Sequence, residues 1–290
     1  MGQEKNLSKM DVFGSSFIMI ISSGIFLLPF FLYPKAGFLT PLAYGLAGFF
    51  FLIAIFSYKN IIDHFLKTGE NYFLFYRNMS SFLASLNGIT LFFSMILKGA
   101  FALFGLAYTL SLFSSFSFFV WAFIVLAILI LFQFLKINYQ ALKNLLGMVL
   151  VLLVVVFFIK GVFVLHWQKI PDFSYNNNLF SFFFYTAFVF VSYGGVQNIM
   201  GPIQKLKDSK TTLSSGFFYA ILGVILIYVF TSWLMGAFFE QSSNFLILAQ
   251  TVQKIHPYAY FIFAIAGGIA FFITAESSLF SAVYYLQSLS

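Results

Sequence analysis

The chain has 290 residues, of which 61% are hydrophobic and only 8% are charged. A soluble domain has about 45 to 50% apolar and about 25% charged residues, so this composition excludes a water-soluble enzyme and indicates a membrane protein. The net charge of +7 is small beside the apolar mass and is interpreted as loop charge rather than a nucleic-acid surface, and the absence of cysteine excludes disulfides and thiol catalysis.

Eight apolar runs follow one another along the chain, each long enough for a membrane-spanning helix. A span needs about 20 apolar residues, and the runs lack the ten-residue alternation of a membrane β-barrel. The first run is longer than the apolar part of a signal peptide, and no cleavage pattern follows it, so we expect it to be retained. The sequence predicts an all-α polytopic membrane protein with spans at 12–33, 38–58, 82–110, 114–135, 142–165, 179–203, 214–238 and 258–286.

Lysine and arginine are distributed unevenly over the segments between these runs. If the N-terminus lies inside, ten of these residues fall in inner segments and four in outer segments, while Lys98 lies within the third span. Because cytoplasmic loops carry an excess of lysine and arginine, the sequence predicts that both termini are cytoplasmic. The location expected for such a chain is the plasma (inner) membrane.

Two of the eight spans contain residues that favour an interruption of the helix. The first contains Ser22, Ser23 and Gly24 near its middle, and the sixth contains the pair Gly194 and Gly195 between hydroxyl residues. In lipid, unwound backbone is tolerated only where it lines a protein cavity, and interrupted spans in both halves of a chain are typical of transporter binding sites. The alternative is that these small residues only allow close helix packing, but their occurrence in two spans, five apart, favours a site.

Both interrupted spans contain short motifs. The first reads Ser-Ser-Gly-Ile-Phe over 22–26 and continues to Pro29, and the sixth reads Tyr-Gly-Gly-Val-Gln over 193–197. These segments resemble the amino acid-polyamine-organocation superfamily of amino acid permeases, whose first helix carries Gly-Ser-Gly-Ile-Phe before a proline and whose sixth carries Tyr-x-Gly-aromatic-Glu. Ser22 replaces the family's first glycine, and Gln197 replaces its acid. Weaker matches are Thr68, Gly69, Tyr72, Asn138 and Lys143.

The resemblance implies a LeuT-like inverted-repeat fold. Helices one to five, in residues 1–165, would form the first repeat, and helices six to eight, in residues 166–290, an incomplete second repeat. The start of the first interrupted helix would hold the α-carboxylate of an amino acid, and carbonyls of the sixth would hold its α-ammonium, in agreement with helix-end electrostatics. The substrate-binding residues implied are Ser22, Ser23, Gly24, Ile25, Val191, Ser192, Tyr193, Gly194 and Gly195.

The function that the resemblance implies is secondary active transport of an amino acid by alternating access, with no enzymatic activity. No cofactor is expected, and the coupling ion would be H⁺ or Na⁺. The expected partners are the amino acid substrate and the lipid bilayer. Permeases of this family have about ten to twelve spans, and the inverted repeat needs ten, so the eight spans predicted here leave an alternative. That alternative is a truncated, non-transporting permease fragment or sensor that needs a second polypeptide for the missing helices.

Two charged residues fall within predicted spans, Lys98 in the third and Glu276 in the eighth. A charge near the bilayer centre costs at least about 2.5 to 3.5 kcal/mol on insertion scales, so each needs a reason. One hypothesis is a coupling pair or a substrate contact, because buried lysines and carboxyls readily change protonation. The alternative is that Lys98 snorkels or faces a wet cavity and that Glu276 is protonated and packs.

The eighth span also contains three hydroxyl residues, Thr274, Ser277 and Ser278. Hydroxyl oxygens are suitable ligands for a hard cation, so these residues, together with the serines of the first span, are a candidate sodium site. The alternative is that they bond their own helix backbone, as hydroxyls in membrane helices usually do. No histidine has a second ligand at helical spacing, so no metal site is expected.

Overall fold

The computed structural model of the chain describes residues 13, 17, 20–21, 23–37, 39–65, 80–135, 140–164, 179–196, 210–238 and 259–289. Within these ranges the chain is nearly all helical. The α-helices are α1 (Ser23–Ala36), α2 (Leu39–Phe65), α3 (Ser81–Leu112), α4 (Phe118–Leu135), α5 (Gln140–Val164), α6 (Leu179–Phe190), α7 (Lys210–Phe238) and α8 (Ala259–Leu289). A 3₁₀-helix, Val191–Val196, continues directly from α6.

Four of these helices are long and apolar enough to cross a membrane. The crossing stretches are Ser81–Leu112, Leu145–Phe163, Phe218–Gly236 and Tyr260–Val283. Shorter apolar stretches occur at Leu39–Ala54, Phe118–Phe132 and Leu179–Gly194. The helices therefore confirm an all-α membrane protein, whereas the number of eight spans and the division into two repeats stay predictions.

Large apolar side chains cover the outside of the helices, as a lipid-facing surface requires. Phe134 and Phe163, on α4 and α5, are at least 80% exposed, and many other phenylalanines are similarly placed. Because lipid is as apolar as leucine, burial of such side chains does not drive helix association in a bilayer, and close approach at small residues does. Small residues are accordingly buried between the helices, among them Ala43, Ala47 and Ala102.

The most extensive interface joins α3 and α8, which run antiparallel. Gly99 on α3 faces Ser278 on α8, and Gly105 faces the ring of Phe271 seven residues earlier on α8. At Gly105 an added Cβ would lie only 2.7 Å from that ring. The glycine therefore allows an approach that an alanine would prevent.

A second interface of the same kind joins α2 and α7. An added Cβ on Gly48 would lie 2.5 Å from Cγ1 of Ile225, and the rings of Phe56 and Phe218 lie 5.5 Å apart further along the two helices. Rising numbers on α2 meet falling numbers on α7, so this pair is also antiparallel. The short helix α1 lies at the centre of the bundle, in contact with α2, α3, α6, the 3₁₀-helix, α7 and α8.

Candidate functional site

The helical path of the first span is interrupted just before α1. The backbone N–H of Ile21 donates to the carbonyl of Phe17 over 3.0 Å, Ile21 itself lies in a bend, and α1 begins at Ser23. Ser22 lies outside the described residues. After this break α1 continues from Ser23 to Ala36 through Pro29 and Pro34, so the bend described at Ile21 precedes the helix and the prolines do not interrupt it.

The sixth predicted span is interrupted as well. Helix α6 ends at Phe190, and the chain continues as a 3₁₀-helix that contains Gly194 and Gly195. At the junction the Ser192 hydroxyl donates to the carbonyl of Val189 over 2.7 Å. Short 3₁₀ stretches are frequent at the C-terminal ends of α-helices, and inside a helix they often mark a functional hinge or strain. The backbone irregularity predicted for this span is therefore present.

The two irregular segments meet at Gly24 and Ser192. An ideal Cβ built on Gly24 would collide with Cβ of Ser192 and would lie 3.1 Å from its Cα. Non-bonded carbon atoms are normally about 3.5 to 4.0 Å apart, so only glycine fits at this point. The sequence suggested that the two spans share a site, and in the structure the first turn of α1, directly after the bend at Ile21, contacts the 3₁₀-helix.

Three tyrosines, none of them exposed, surround this contact: Tyr44 on α2, Tyr193 in the 3₁₀-helix and Tyr228 on α7. The ring of Tyr228 lies 5.5 Å from that of Tyr44 and 5.3 Å from that of Tyr193, measured between centroids. Such aromatic packing adds stability beyond the area that it buries. We call these three residues the tyrosine cluster.

Each hydroxyl of the tyrosine cluster donates to a backbone carbonyl in another part of the bundle. Tyr228 donates to Ile20 over 2.7 Å, Tyr44 donates to Gly24 over 3.2 Å, and Tyr193 donates to Tyr44 over 3.0 Å. The acceptors Ile20 and Gly24 flank the interruption of the first span. Because backbone carbonyls in lipid need a donor, these hydroxyls supply hydrogen bonds where the helix is broken.

Sequence reasoning did not find Tyr44 and Tyr228. A usable signal was present, because a tyrosine inside an apolar span needs a partner for its hydroxyl. Tyr193 was predicted as a substrate-binding residue, and its side chain stacks on Phe51 with ring centroids 5.7 Å apart in addition to its hydrogen bond. Its ring therefore has a packing role within the bundle, and only its backbone is a candidate for substrate contact.

The other predicted substrate-binding residues differ in their exposure. Ile25 is fully buried in α1, and Ser192 is buried beside Gly24. The side chain of Val191 is 54% exposed and so faces away from the core. Gly194 is partly buried. Of the predicted substrate-binding residues, Gly24 and Ile25 at the start of α1 therefore lie next to those of the 3₁₀-helix.

The two charges predicted within the membrane lie on the neighbouring helices α3 and α8. Lys98 is partly buried, and its Nζ lies 3.9 Å from the position that a Cβ on Gly194 would take. Glu276 is buried, and Oε2 of its carboxylate accepts a hydrogen bond of 3.4 Å from the Ser277 hydroxyl. Within the described residues, Lys98 and Glu276 form no ion pair with each other. Because its Nζ lies next to Gly194, the side chain of Lys98 points toward the 3₁₀-helix.

The hydroxyls of the candidate sodium site have different partners. Thr274 donates to the carbonyl of Ala270 in its own helix over 2.7 Å, and Ser277 donates to Glu276. The buried Oγ of Ser278 has no hydrogen-bond partner in the described part of the chain. Of the three, only the Ser278 hydroxyl is not hydrogen-bonded within α8. A group of three or more histidine and carboxylate ligands is absent from the described ranges.

Comparison with known proteins gives no independent indication of family or activity. No protein-family model matches the chain, and no curated protein is similar to it. The evidence for a function is therefore the contact between the two interrupted helices and the polar groups around it.

Proposed function

We propose that the chain is a secondary active transporter of an amino acid in the plasma membrane, with both termini in the cytoplasm and a LeuT-like arrangement of helices. The observation that carries this proposal is the contact of Gly24 with Ser192, where the first turn of α1, directly after the bend at Ile21, meets the 3₁₀-helix. Irregular backbone in a bilayer is tolerated where it lines a cavity or a site. Paired interrupted helices are the usual binding element of secondary transporters.

The pattern of helix contacts supports an inverted repeat. In a five-plus-five repeat, a pseudo-two-fold axis relates each helix to the one five places later, and equivalent elements near that axis contact each other. The two most extensive interfaces in which helices five apart meet are α3 with α8 and α2 with α7, and α1 also contacts α6 and its 3₁₀ continuation. All three pairs expected near the axis are thus in contact.

Under this proposal the substrate lies beside the contact of Gly24 with Ser192, against the start of α1 and the 3₁₀-helix. The first N–H groups of α1, from Ser23 onward, have no partner within the helix and favour the α-carboxylate. Carbonyls of Val191–Gly194 favour the α-ammonium. A zwitterionic amino acid pairs with both the N–H groups of α1 and the carbonyls of the 3₁₀-helix, whereas a simple anion or cation pairs with only one of them.

A non-transporting role is the second candidate, as a sensor or as part of a complex completed by another polypeptide. The observation that favours it is the tyrosine cluster, whose hydroxyls already bond the carbonyls of Ile20 and Gly24. In a non-transporting protein, tyrosine hydroxyls that satisfy the carbonyls at the helix break would hold the break as a permanent structural feature. Transport would instead require these bonds to exchange as α1 moves.

Uptake by the purified full chain in proteoliposomes tests the proposal. A mixture of labelled amino acids is supplied with a proton gradient, with a sodium gradient or with neither. We expect gradient-driven uptake by the unchanged protein and by Gly45→Ala, whose new Cβ would make an ordinary contact of 3.6 Å with Val229. Gly24→Leu should reduce uptake to the level of empty vesicles.

The gradient that drives uptake identifies the coupling ion. Absence of uptake by protein that is inserted and folded, as judged by its helix content and thermal unfolding, would contradict the transport proposal. Uptake by Gly24→Leu equal to that of the unchanged protein would contradict the location of the site.

A further inference from the structure

Lys98 lies too deep in its helix to reach water along its own side chain. It is 17 residues from Ser81 and 14 residues from Leu112, the ends of α3, which at about 1.5 Å per residue is roughly 25 Å and 21 Å. With a hydrocarbon core of about 30 Å, a lysine near the middle of the helix is about 15 Å from either edge. A four-carbon stem cannot bridge that distance, so snorkelling does not explain this residue.

Among the described residues, the ammonium of Lys98 is not paired with a carboxylate. Its Nζ forms no ion pair or hydrogen bond within the described residues, and Glu276 on the adjacent helix does not pair with it. The group lies instead over Gly194, 3.9 Å from where a side chain would start. Since glycine has no side chain to shield its backbone, the ammonium is directed at the same 3₁₀-helix that carries the proposed substrate contacts.

We infer that Lys98 is a specificity-determining residue of the proposed site and that it selects amino acids with a carboxylate side chain. This inference rests on the proposed function. In the proposed arrangement the start of α1 binds the α-carboxylate and the 3₁₀ carbonyls bind the α-ammonium, so the charge of Lys98 is left for the substrate side chain.

The electrostatics of a low-dielectric site make this selection strong. An unpaired cation in such a site is costly, and an anion that arrives with the substrate offsets part of that cost. A neutral side chain of the same size leaves the cation unpaired, and a cationic side chain is repelled. Affinity should therefore be highest for acidic amino acids, lower for neutral ones and lowest for basic ones. The basic amino acids are rejected by charge repulsion from Lys98.

Binding of three probes to the purified full chain in detergent or nanodiscs tests the inference. Glutamate and glutamine have the same shape and differ in charge, and lysine carries the opposite charge. We expect the unchanged protein to bind glutamate at least tenfold more tightly than glutamine, and lysine more weakly than either. Glutamine binding as tight as glutamate binding would overturn the inference, and this comparison needs no variant to fold.

Variants then assign the preference to the residue. Lys98→Met should lower the affinity for glutamate at least tenfold and leave that for glutamine unchanged, whereas Lys98→Arg should retain the preference. Lys160→Met, at an exposed lysine of α5, is the matched control and should behave like the unchanged protein. If Lys98→Met lowers the affinities for glutamate and glutamine equally, Lys98 binds the α-carboxylate instead, and this result overturns the inference. If no amino acid binds the unchanged protein, the proposed function fails as well.

Discussion

Replacing Gly24 by alanine tests the contact on which the proposed site depends. The added Cβ would lie 3.1 Å from Cα of Ser192, and it would overlap more severely with the Ser192 Cβ. Against a normal carbon separation of about 3.5 to 4.0 Å, the overlap with the backbone atom alone is about 0.4 to 0.9 Å. Because the obstacle is backbone and Cβ rather than a flexible side-chain end, α1 and the 3₁₀-helix must separate.

The expected cost follows from overpacking. Extra methyl groups in a packed interior cost about 1 to 3 kcal/mol, and this exceeds the gain of about 0.4 to 1 kcal/mol that alanine gives at an unstrained glycine position. Gly24→Ala should therefore lower the apparent unfolding temperature by about 2 to 5 °C. Gly45→Ala, whose new Cβ would meet Cγ2 of Val229 at an ordinary 3.6 Å, should leave it unchanged or raise it.

Thermal unfolding of the purified variants in one detergent and at one heating rate measures this difference, since membrane proteins often unfold irreversibly. A second substitution makes the test specific. Ser192→Gly removes the Cβ that collides, so the double variant with Gly24→Ala should recover at least about 0.5 kcal/mol relative to the sum of the single effects. An unfolding temperature of Gly24→Ala equal to that of Gly45→Ala, or no recovery in the double variant, would refute the packing of α1 against the 3₁₀-helix.

Three further predictions concern other positions. Tyr228→Phe removes the hydroxyl bonded to the Ile20 carbonyl and should cost about 0.5 to 2 kcal/mol in thermal unfolding, because a buried acceptor loses its donor. Gly105→Ala places a Cβ 2.7 Å from the ring of Phe271 and should cost about 1 to 3 kcal/mol. Ser278→Ala removes a buried hydroxyl without a partner in the described residues and should change stability by no more than about 1 kcal/mol, in the stabilising direction. If Ser278 ligates sodium instead, the variant loses any sodium-dependent stabilisation of the unchanged protein.

Two conservative substitutions serve as controls for these measurements. Among the described residues, the Tyr185 hydroxyl donates only a long hydrogen bond of 3.5 Å, to the carbonyl of Lys35, so the stability of Tyr185→Phe should stay within about 0.5 kcal/mol of that of the unchanged protein. An added Cβ on Gly268 would meet Thr109 at an ordinary 3.6 Å, so Gly268→Ala should be tolerated. Effects in these controls as large as those of Tyr228→Phe and Gly105→Ala would contradict the assigned contacts.

The helices themselves could be predicted from the sequence because the bilayer permits few alternatives. A long apolar stretch in lipid must satisfy its own backbone hydrogen bonds, and a helix does so within one segment. Local signals then set the ends. The Ser80 side chain accepts from the N–H of Leu83 over 3.2 Å as the N-cap of α3, close to the predicted start at residue 82.

The interruptions could be predicted only in part. Serine and glycine near Ser23 correctly indicated a break in the first span, but Pro29 lies inside α1, because membrane helices tolerate prolines when neighbouring groups satisfy the freed carbonyl. In the sixth span the 3₁₀-helix begins at Val191, three residues before Gly194. Local composition indicates that the backbone is irregular near such residues, and tertiary contacts decide where the irregularity begins.

The contacts that complete the site join residues far apart in sequence. Tyr193 and Tyr44 are separated by 149 positions, and Tyr228 and Ile20 by 208. Helical periodicity predicts which face of a span a tyrosine occupies, but not which carbonyl lies opposite it. The direction of Lys98 toward Gly194 is of the same kind, because Lys98 and Gly194 lie on elements that only the tertiary fold brings together.

The tyrosine cluster connects stability to the proposed movement. Its hydroxyls bond carbonyls on both sides of the break before α1 and in α2, so the same bonds that satisfy the broken helix also fasten it to α2 and α7. A carbonyl in lipid cannot be left without a donor at low cost. If α1 moves relative to α7 during transport, the carbonyl of Ile20 must exchange the Tyr228 hydroxyl for another donor. Tyr228→Phe should then alter the transport rate more than the substrate affinity, because the hydroxyl bonds the carbonyl of Ile20 and not the backbone groups proposed to hold the substrate.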